Sequence, residues 1–362
     1  KETYGTYKYI FSAVAFLSTF SLNNVGAAVF QSTARGYDGA LHEGFWINLR
    51  WGALVFAGAL AASVWYFAHD NTTLAIGMLI AGSLSPFLSS ANLASSFLAG
   101  KKDFFRQSFY FGSIGNGLPI LVLVATIFVT QDPLWLILIY CVTNTAASLY
   151  FYIRTLAVYR PDQAKKDAGM LSYEKHLSAI GILGGIATSI DQVLLFNYVG
   201  AAEVAIYVFS TSILDQVKGP LKNLDTMTQA RFANHQDLHI RQSMSNKFLW
   251  LFLSIALVVA AYILIAPFLY LILFPAYIEA VPYSQLYALS LLGLAFGPAG
   301  SYLVAKKKIR EQYISSVVGW LTQILLLAVG VIWWGLWGII VARVASRFII
   351  GGLSYVLYRK VS

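Results

Sequence analysis

The sequence predicts an all-α polytopic membrane protein with two pseudo-symmetric bundles of six transmembrane helices, of which about eleven helices are present and the first is missing. Three observations support this prediction: long apolar segments, positive charges that occupy alternate gaps, and an internal repeat. The 362 residues are 58% hydrophobic and 11% charged, and the mean hydropathy is +0.66. A soluble fold of this length does not normally have such a composition.

Each apolar segment meets or exceeds the roughly 20 residues that a bilayer-spanning helix needs. The segments are 6–30, 44–68, 72–99, 105–130, 133–157, 177–199, 202–226, 247–274, 283–305, 312–334 and 336–358.

Lysine and arginine residues occupy every second gap between these segments. They are Arg35, Lys101, Lys102, Arg106, Arg160, Lys165, Lys166, Lys175, Arg231, Arg241, Lys306 to Lys308, Arg310, Arg359 and Lys360. The other gaps, FAHDNTT, TQDP, FNYVGAAE, FPAYIEAVP and WWGLWG, contain neither residue type. Because positively charged loops stay in the cytoplasm, the first set of gaps is predicted to lie inside. Lys1 and Lys8 are the exceptions, since they lie in what would be an outer loop.

The net charge of +9 would suggest a nucleic-acid partner in a soluble chain, but here it reflects the inner loops, so we expect no such partner. Cys141 is the single cysteine and cannot form an intrachain disulfide. The chain begins with Lys1, not Met, in a predicted outer loop. We therefore expect one further helix before it and twelve helices in the intact protein.

Internal similarity predicts the division into lobes. KKDFFRQSFYFGSIGNGLPILV before the fourth segment resembles KKKIREQYISSVVGWLTQILLL before the tenth, matching Lys102 with Lys306. YGTYKYIFSAV in the first segment resembles VAIYVFSTSIL in the seventh, matching Tyr7 with Tyr207. Both alignments relate segments six apart. We expect an N-terminal transmembrane lobe at 1–157, a cytoplasmic linker loop at 158–176 and a C-terminal transmembrane lobe at 177–362, with the polar stretch 231–247 as a rival boundary.

The residues also resemble a known family. YGTYKYIFSAVAFLSTFSL, SIDQVLLFNYVGAAEVAIYVFSTSILDQV, and LFPAYIEAVPYSQLYALSLL followed by KKKIREQ look like the Wzx-type O-antigen and capsule flippases. These proteins belong to the multidrug/oligosaccharidyl-lipid/polysaccharide (MOP) superfamily. The resemblance covers nearly the whole chain, although its motifs are loosely spaced residues and not a fixed signature.

The resemblance implies a transporter, not an enzyme. It implies translocation of undecaprenyl-diphosphate-linked oligosaccharide across the bacterial inner membrane by alternating access, for surface polysaccharide assembly. The implied partners are this lipid-linked oligosaccharide, membrane lipids, and a polysaccharide polymerase with its chain-length regulator. No cofactor is implied, although a proton or sodium gradient could drive transport.

The seventh segment holds the first group of candidate site residues. Asp215, Lys218, Lys222 and Asp225 follow one another at spacings of three, four and three, which places them on one helical face. Lys218 would lie ~24 Å below the outer end of its segment, in the inner third of a ~30 Å core. The stripe predicts a cationic surface that binds the diphosphate through charge-assisted hydrogen bonds. The open alternative is that both lysines snorkel to the inner interface and pair with their own aspartates.

Three arginines and one aspartate complete the candidate site. Arg50 would add to the basic vestibule, with anchoring at the interface beside Trp51 as the alternative. Arg343 and Arg347 lie one turn apart on the last segment, and Arg347 is near its middle. Asp191 and Arg343 lie at similar depth, ~12 Å and ~10 Å from the outer ends of their helices. We expect a structural ion pair, with ion coupling at Asp191 as the alternative.

Other classes of function remain open. A membrane glycosyltransferase or polysaccharide polymerase would need acids, bases or metal ligands near the sugar, and the short outer loops offer only Asp70, Asp132, Glu203 and Glu279. Within the superfamily, a lipid II flippase and a drug/cation antiporter are the alternatives. An antiporter for hydrophobic cations should have an acid-lined cavity, whereas the candidate residues here are mostly basic.

Overall fold

The computed structural model describes residues 1–22, 24–165, 167, 169–216, 237–306 and 308–361. The described part is helical throughout, without a β-strand. The α-helices are α1 (Glu2–Ser18), α2 (Val25–Ala34), α3 (Ala40–Ala68), α4 (Thr72–Ala91), α5 (Leu93–Gly100), α6 (Phe104–Gln107), α7 (Gly115–Ile127), α8 (Pro133–Tyr159), α9 (Met170–Tyr198), α10 (201–216), α11 (Asp237–Leu273), α12 (Val281–Ala288), α13 (Gly297–Ala305) and α14 (Ile309–Val361). A π-helix at Ser108–Ile114 joins α6 to α7, and 3₁₀ turns at Pro275–Ala280 and Leu289–Phe296 flank α12.

These helices confirm the predicted fold class of an all-helical, multi-pass membrane protein. Within the described residues, seven helical stretches are long and apolar enough to cross a bilayer. They are Ala40–Ala68, Thr72–Gly100, Phe104–Ile127, Pro133–Tyr159, Phe248–Leu273, Pro275–Ala305 and Ile309–Lys360. Many large apolar side chains on them are exposed, such as Leu257 and Ile272 on α11, as expected where the surrounding solvent is lipid.

The first predicted segment, 6–30, is two helices instead of one. Helix α1 ends at Ser18, and α2 begins at Val25. The hydroxyls of Ser18, Thr19 and Ser21 donate to backbone carbonyls three or four residues earlier, at 2.7–2.8 Å. Such local bonds satisfy the hydroxyls inside the apolar run in which the helix ends.

The tenth and eleventh predicted segments both belong to α14, and a sharp break at Gly335 separates them. Gly335 has φ of 55° and ψ of −127°, a conformation that essentially only glycine adopts. On either side of it, Gly330 and Gly338 approach so closely that a Cβ on either residue would overlap the backbone of the other. The turn WWGLWG therefore reverses the chain with almost no loop.

The described chain forms two compact units, one of residues 6–190 and one of residues 1–5 with 191–362. Helix α9 contributes its first part to one unit and its end to the other. In the first unit, the apolar core gathers residues of α2, α3, α5 and α8, with Phe97 at its centre and fully buried. In the second unit, a smaller core joins α13 to the end of α14 around Tyr302 and Tyr358. The linker expected at 158–176 stays a prediction.

The hairpins after α5 and after α13, which resemble each other in sequence, are closed by equivalent backbone hydrogen bonds. The N–H of Asp103 donates to the carbonyl of Leu98 at 3.0 Å, and the N–H of Lys308 donates to that of Leu303 at 2.9 Å. Donor and acceptor in the second hairpin are both 205 positions further along the chain. The sequence alignment matched Lys102 with Lys306, which is an offset one residue shorter than that of the hydrogen bonds. The hydrogen bonds that end the helices define the turn, and the identity of the lysines does not.

Each unit also contains an edge-on aromatic pair, one member of which follows the same repeat. The ring of Phe97 meets that of Tyr159 edge-on with centroids 5.6 Å apart in the first unit. Tyr302, 205 positions after Phe97, meets Tyr358 in the same way at 4.9 Å in the second unit. The two units therefore contain similar aromatic pairs at these hairpins, although Tyr358 lies 199 positions after Tyr159.

Candidate functional site

A buried ion pair lies at membrane depth in the unit of residues 1–5 and 191–362. Asp191 on α9 accepts from Nε of Arg343 on α14 at 3.1 Å, and the Nη2 of the same guanidinium donates to the same carboxylate oxygen. The side chains are 2% and 12% exposed. The structure thus brings together the two residues that were expected to meet. Their role, structural or ion-coupling, stays a prediction.

Tyr207 on α10 completes the coordination of Asp191. Its hydroxyl donates to the oxygen that Arg343 also binds, and its side chain is 3% exposed. The other carboxylate oxygen accepts the backbone N–H of Gln192 at 2.8 Å. Both oxygens are therefore bonded, which is what a buried carboxylate requires. The sequence had matched Tyr207 with Tyr7 in the repeat but had not marked it as a site residue.

Tyr287 connects this buried pair to a more exposed acid. Tyr287 lies on α12, is buried, and donates its hydroxyl to Oδ1 of Asp215 at 3.0 Å. It is also within electrostatic reach of Arg343 and Arg347. Five side chains from four helices therefore form one charge cluster, which we define as Asp191, Tyr207, Asp215, Tyr287 and Arg343. The sequence contained no signal for Tyr287, because a tyrosine in an apolar segment is common.

Arg347 lies one turn after Arg343 on α14, and its side chain is exposed. It is 12 residues after the break at Gly335, which is ~18 Å along the helix and near the middle of a ~30 Å core. A charge at that depth must face protein or a water-filled cavity, not lipid. Arg347 makes no hydrogen bond or ion pair with the residues that the structure describes. Arg347 packs closely against Gly293, because a Cβ added to Gly293 would lie 3.1 Å from the Cβ of Arg347.

Arg50 lies on α3 in the other unit, with its side chain exposed. It too lacks a hydrogen-bond or ion-pair partner within the described ranges. Trp46 and Trp51, its neighbours on the helix, are 46% and 38% exposed. This arrangement is compatible with both expectations, a phosphate contact and an interface anchor.

Most of the charged stripe on the seventh segment lies beyond the part of the chain that the structure describes. Lys218, Lys222 and Asp225 fall outside the described residues, and of the four residues expected on that face only Asp215 is described. Asp215 has an exposed side chain and is bonded to Tyr287. No group of three or more His, Cys, Asp or Glu side chains that could hold a metal ion occurs among the described residues.

The fold and the buried charge cluster define a class, a polytopic helical membrane protein with charged groups held inside its bundle. No protein-family model and no curated protein sequence matches the chain. Solved structures do match. One is an inward-facing conformation of a multidrug resistance MATE family transporter of the MOP superfamily, with 14% identity, 99% of this chain and 89% of that chain covered, and a TM-score of 0.77.

Two further structures show the same likeness. An outward-facing conformation of a multidrug resistance MATE family transporter matches with 15% identity, 99% and 86% coverage, and a TM-score of 0.65. A MOP superfamily transporter from Pyrococcus furiosus, whose binding pocket is described as having reverse polarity that suggests a different function, matches with 14% identity, 99% and 87% coverage, and a TM-score of 0.66. The chain therefore has the fold of the MOP superfamily transporters.

Proposed function

We propose that this chain transports an anionic, lipid-linked substrate, a diphosphate-linked oligosaccharide, across a membrane by alternating access. The observation that carries the proposal is the balance of charge at membrane depth. Both described acids there, Asp191 and Asp215, are hydrogen-bonded to protein groups, whereas Arg50 and Arg347 have exposed side chains without an ion-pair partner in the described part of the chain. Among the described residues at this depth, the exposed charges that no hydrogen bond or ion pair satisfies are thus positive.

A phosphate-bearing substrate fits that balance. A diphosphate that leaves water needs fixed positive charge along its route, because an isolated anion is costly in a medium of low dielectric constant. Arginine suits this task, since its planar guanidinium can donate two parallel hydrogen bonds to phosphate oxygens. Arg347, near the middle of the core, is the residue we assign to the diphosphate at the halfway point of its path.

Alternating access is supported by the fold. The structures that this chain resembles include transporters in both inward-facing and outward-facing conformations. The proposal places the protein in the bacterial inner membrane, where lipid-linked oligosaccharides are assembled on one leaflet and used on the other. A polysaccharide polymerase and its chain-length regulator would then receive the product.

A drug/cation antiporter is the second candidate, and the fold favours it, because two of the structures described above are multidrug resistance transporters. Such a protein would use an acid to bind its cation. Asp215 is the candidate among the described residues, because its side chain is exposed. The two candidates therefore assign substrate binding to residues of opposite charge, Arg347 and Asp215.

One experiment separates them. The full-length protein in liposomes would be given either a fluorescent undecaprenyl-diphosphate-linked disaccharide or the cation ethidium. We expect transbilayer movement of the lipid, its loss in Arg347→Gln, partial retention in Arg347→Lys, and little change in Asp215→Asn. Transport of ethidium that is lost in Asp215→Asn and kept in Arg347→Gln would refute the proposal and favour the antiporter.

A further inference from the structure

A polar cavity of about 230 Å³ lies inside the unit of residues 6–190. The end of α1, the beginning of α2, and helices α3, α4 and α5 surround it. Five serines and two asparagines line it together with small and aliphatic residues, and the described lining contains no charged side chain. We call it the serine–asparagine cavity. Neither the sequence analysis nor the charge cluster accounts for it.

The position of the cavity makes its polarity informative. Asn48 lies eight residues after the beginning of α3, and Ser85 lies 13 residues after the beginning of α4, so they are ~12 Å and ~20 Å along their helices. Both depths fall within a ~30 Å hydrocarbon core. A polar group left without a partner there costs free energy, so a lining of this kind must meet water or a ligand.

Asn48 is the most constrained polar group of the cavity. Its side chain is 8% exposed, and its Nδ2 donates to Oγ of Ser89 at 3.1 Å. Ser89 in turn donates to the carbonyl of Pro86 at 3.1 Å, which orients the whole chain of bonds. The carboxamide oxygen of Asn48 is left as an acceptor without a donor among the described residues. A buried amide held in this way is a preorganised contact for a ligand.

Three further lining side chains are available. Ser85, Asn92 and Ser96 make no side-chain hydrogen bond with the described residues, although all three line the cavity. By contrast, Ser18 and Ser21 donate to carbonyls of their own backbone. The cavity therefore offers both donors and acceptors that the protein itself does not use.

The chemistry of these groups selects an uncharged ligand that both donates and accepts hydrogen bonds. A lone cation or anion at this depth would need counter-charge, which the described lining does not offer. Sugar hydroxyls are donors and acceptors at once, as are the serine and asparagine groups. The aliphatic side chains of Leu22, Val55 and Leu93 complete the wall and can pack against ring carbons. At about 230 Å³, the cavity is smaller than the 300–1,000 Å³ of drug-sized sites, so it suits one ring.

We propose that the serine–asparagine cavity binds one uncharged sugar ring of the lipid-linked substrate, an inference that rests on the proposed function. Two glycines in the lining allow the helices around the cavity to pack closely. A Cβ on Gly26 would lie 2.9 Å from Oγ of Ser96, and a Cβ on Gly52 would lie 2.6 Å from Cβ of Pro86. The cavity would thus bind the sugar of the substrate whose diphosphate the proposed function assigns to arginine.

The test compares two lipids that differ only in the sugar. Binding of undecaprenyl diphosphate, and of the same lipid carrying one neutral hexose, would be measured by native mass spectrometry on the full-length protein. The wild type should prefer the hexose-bearing lipid. Asn48→Leu and Ser96→Ala should each reduce that preference by roughly threefold to tenfold, the effect of one lost neutral hydrogen bond, and leave binding of the bare lipid unchanged.

Ser83→Ala is the matched control. Ser83 lies on α4 beside the cavity residues, but its hydroxyl donates to the carbonyl of Ile80 and it does not line the cavity. The Ser83→Ala protein should prefer the hexose-bearing lipid as strongly as the wild type does. If the wild type binds neither lipid, the proposed function itself fails and the inference with it. If the wild type binds both lipids equally, or if Asn48→Leu and Ser96→Ala keep the full preference, the sugar assignment is overturned while the proposed function stands.

Discussion

Arg343 donates two hydrogen bonds to a single oxygen of Asp191 across 152 residues of sequence, and Tyr207 donates a third to the same atom. The pair joins α9 to the last helix inside one unit. Its carboxylate is almost completely removed from solvent. Such a pair need not add net stability compared with apolar residues, but breaking it leaves a buried charge alone.

Replacing one member of this pair should destabilise the protein, and replacing both should restore it. Asp191→Asn and Arg343→Gln should each cost about 3–5 kcal/mol, because each leaves one uncompensated charge, and the double variant should recover most of that loss. The measurement is the melting temperature and the yield of monodisperse protein in detergent.

The exposed pair of Lys1 and Glu279 is the control. Its atoms are 2.8 Å apart, but the side chains are 31% and 62% exposed, so Glu279→Gln should change the stability by less than about 1 kcal/mol. Normal stability of both single variants at Asp191 and Arg343, combined with loss of transport, would contradict a structural role and favour ion coupling at Asp191.

The hairpin after α5 should make stability depend on pH in the acidic range. Oδ2 of Asp103 accepts from the hydroxyl of Tyr159 at 2.5 Å and from Nη1 of Arg106 at 2.6 Å, and Oδ1 accepts the backbone N–H of Arg106. These bonds, that of Tyr159 first, lower the pKa of Asp103 below its usual value. The carboxyl of Asp103 therefore has a lower pKa in the folded protein than in the unfolded chain. Its ionised form stabilises the folded protein above the unfolded pKa of about 3.9, and this stabilisation is lost as the pH falls through the folded pKa.

Asp103→Asn should accordingly melt at a lower temperature than the wild type at pH 7. The difference should stay constant down to about pH 5 and shrink below that value, since the wild-type carboxyl then becomes neutral as well. Thermal melts of both proteins across this range provide the measurement. A difference that does not change between pH 7 and pH 3 would show that the charge of Asp103 is not what stabilises the hairpin.

The alternating loop charges predict the orientation in the membrane. In a Cys141→Ala background, Ala168→Cys and Val361→Cys should resist an impermeant thiol reagent in intact cells, whereas Thr72→Cys and Glu279→Cys should react. Permeabilised cells, in which all four sites should react, serve as the control. The reverse pattern of labelling would refute the assigned orientation.

Lys218 is predicted to be essential for transport if the stripe on the seventh segment faces the substrate. Lys218→Gln should abolish export of surface polysaccharide and leave lipid-linked repeat units on the inner leaflet, with the amount of protein in the membrane unchanged. Lys218→Arg should keep part of the activity, because the charge matters more than the shape.

Lys222→Gln is the comparison variant within that stripe. Loss of export in Lys222→Gln would extend the stripe, and normal export would identify Lys222 as a snorkelling anchor. Full export by Lys218→Gln would overturn the cationic stripe and leave Arg347 as the residue for the diphosphate.

The sequence alone was sufficient to predict the all-helical membrane class and where the long apolar segments lie, but not where each helix is broken. Whether a segment of about 20 residues lies in lipid depends on the sum of its own side chains, so hydropathy locates each span without knowledge of its neighbours. The first span is an exception, because 6–30 was expected to be one helix, whereas α1 ends at Ser18 and α2 begins at Val25. The orientation in the membrane is likewise predicted from each loop separately, from its content of lysine and arginine.

Only the tertiary structure decided which polar groups meet. Equal depth made a contact between Asp191 and Arg343 reasonable, but depth contains no information about the rotation of a helix around its axis. Rotation brings Tyr207 to Asp191 and Tyr287 to Asp215, and it gathers the serines and asparagines of four helices and the turns between them around one cavity. These contacts depend on how helices distant in sequence pack, which is a property of the whole bundle and not of any one segment.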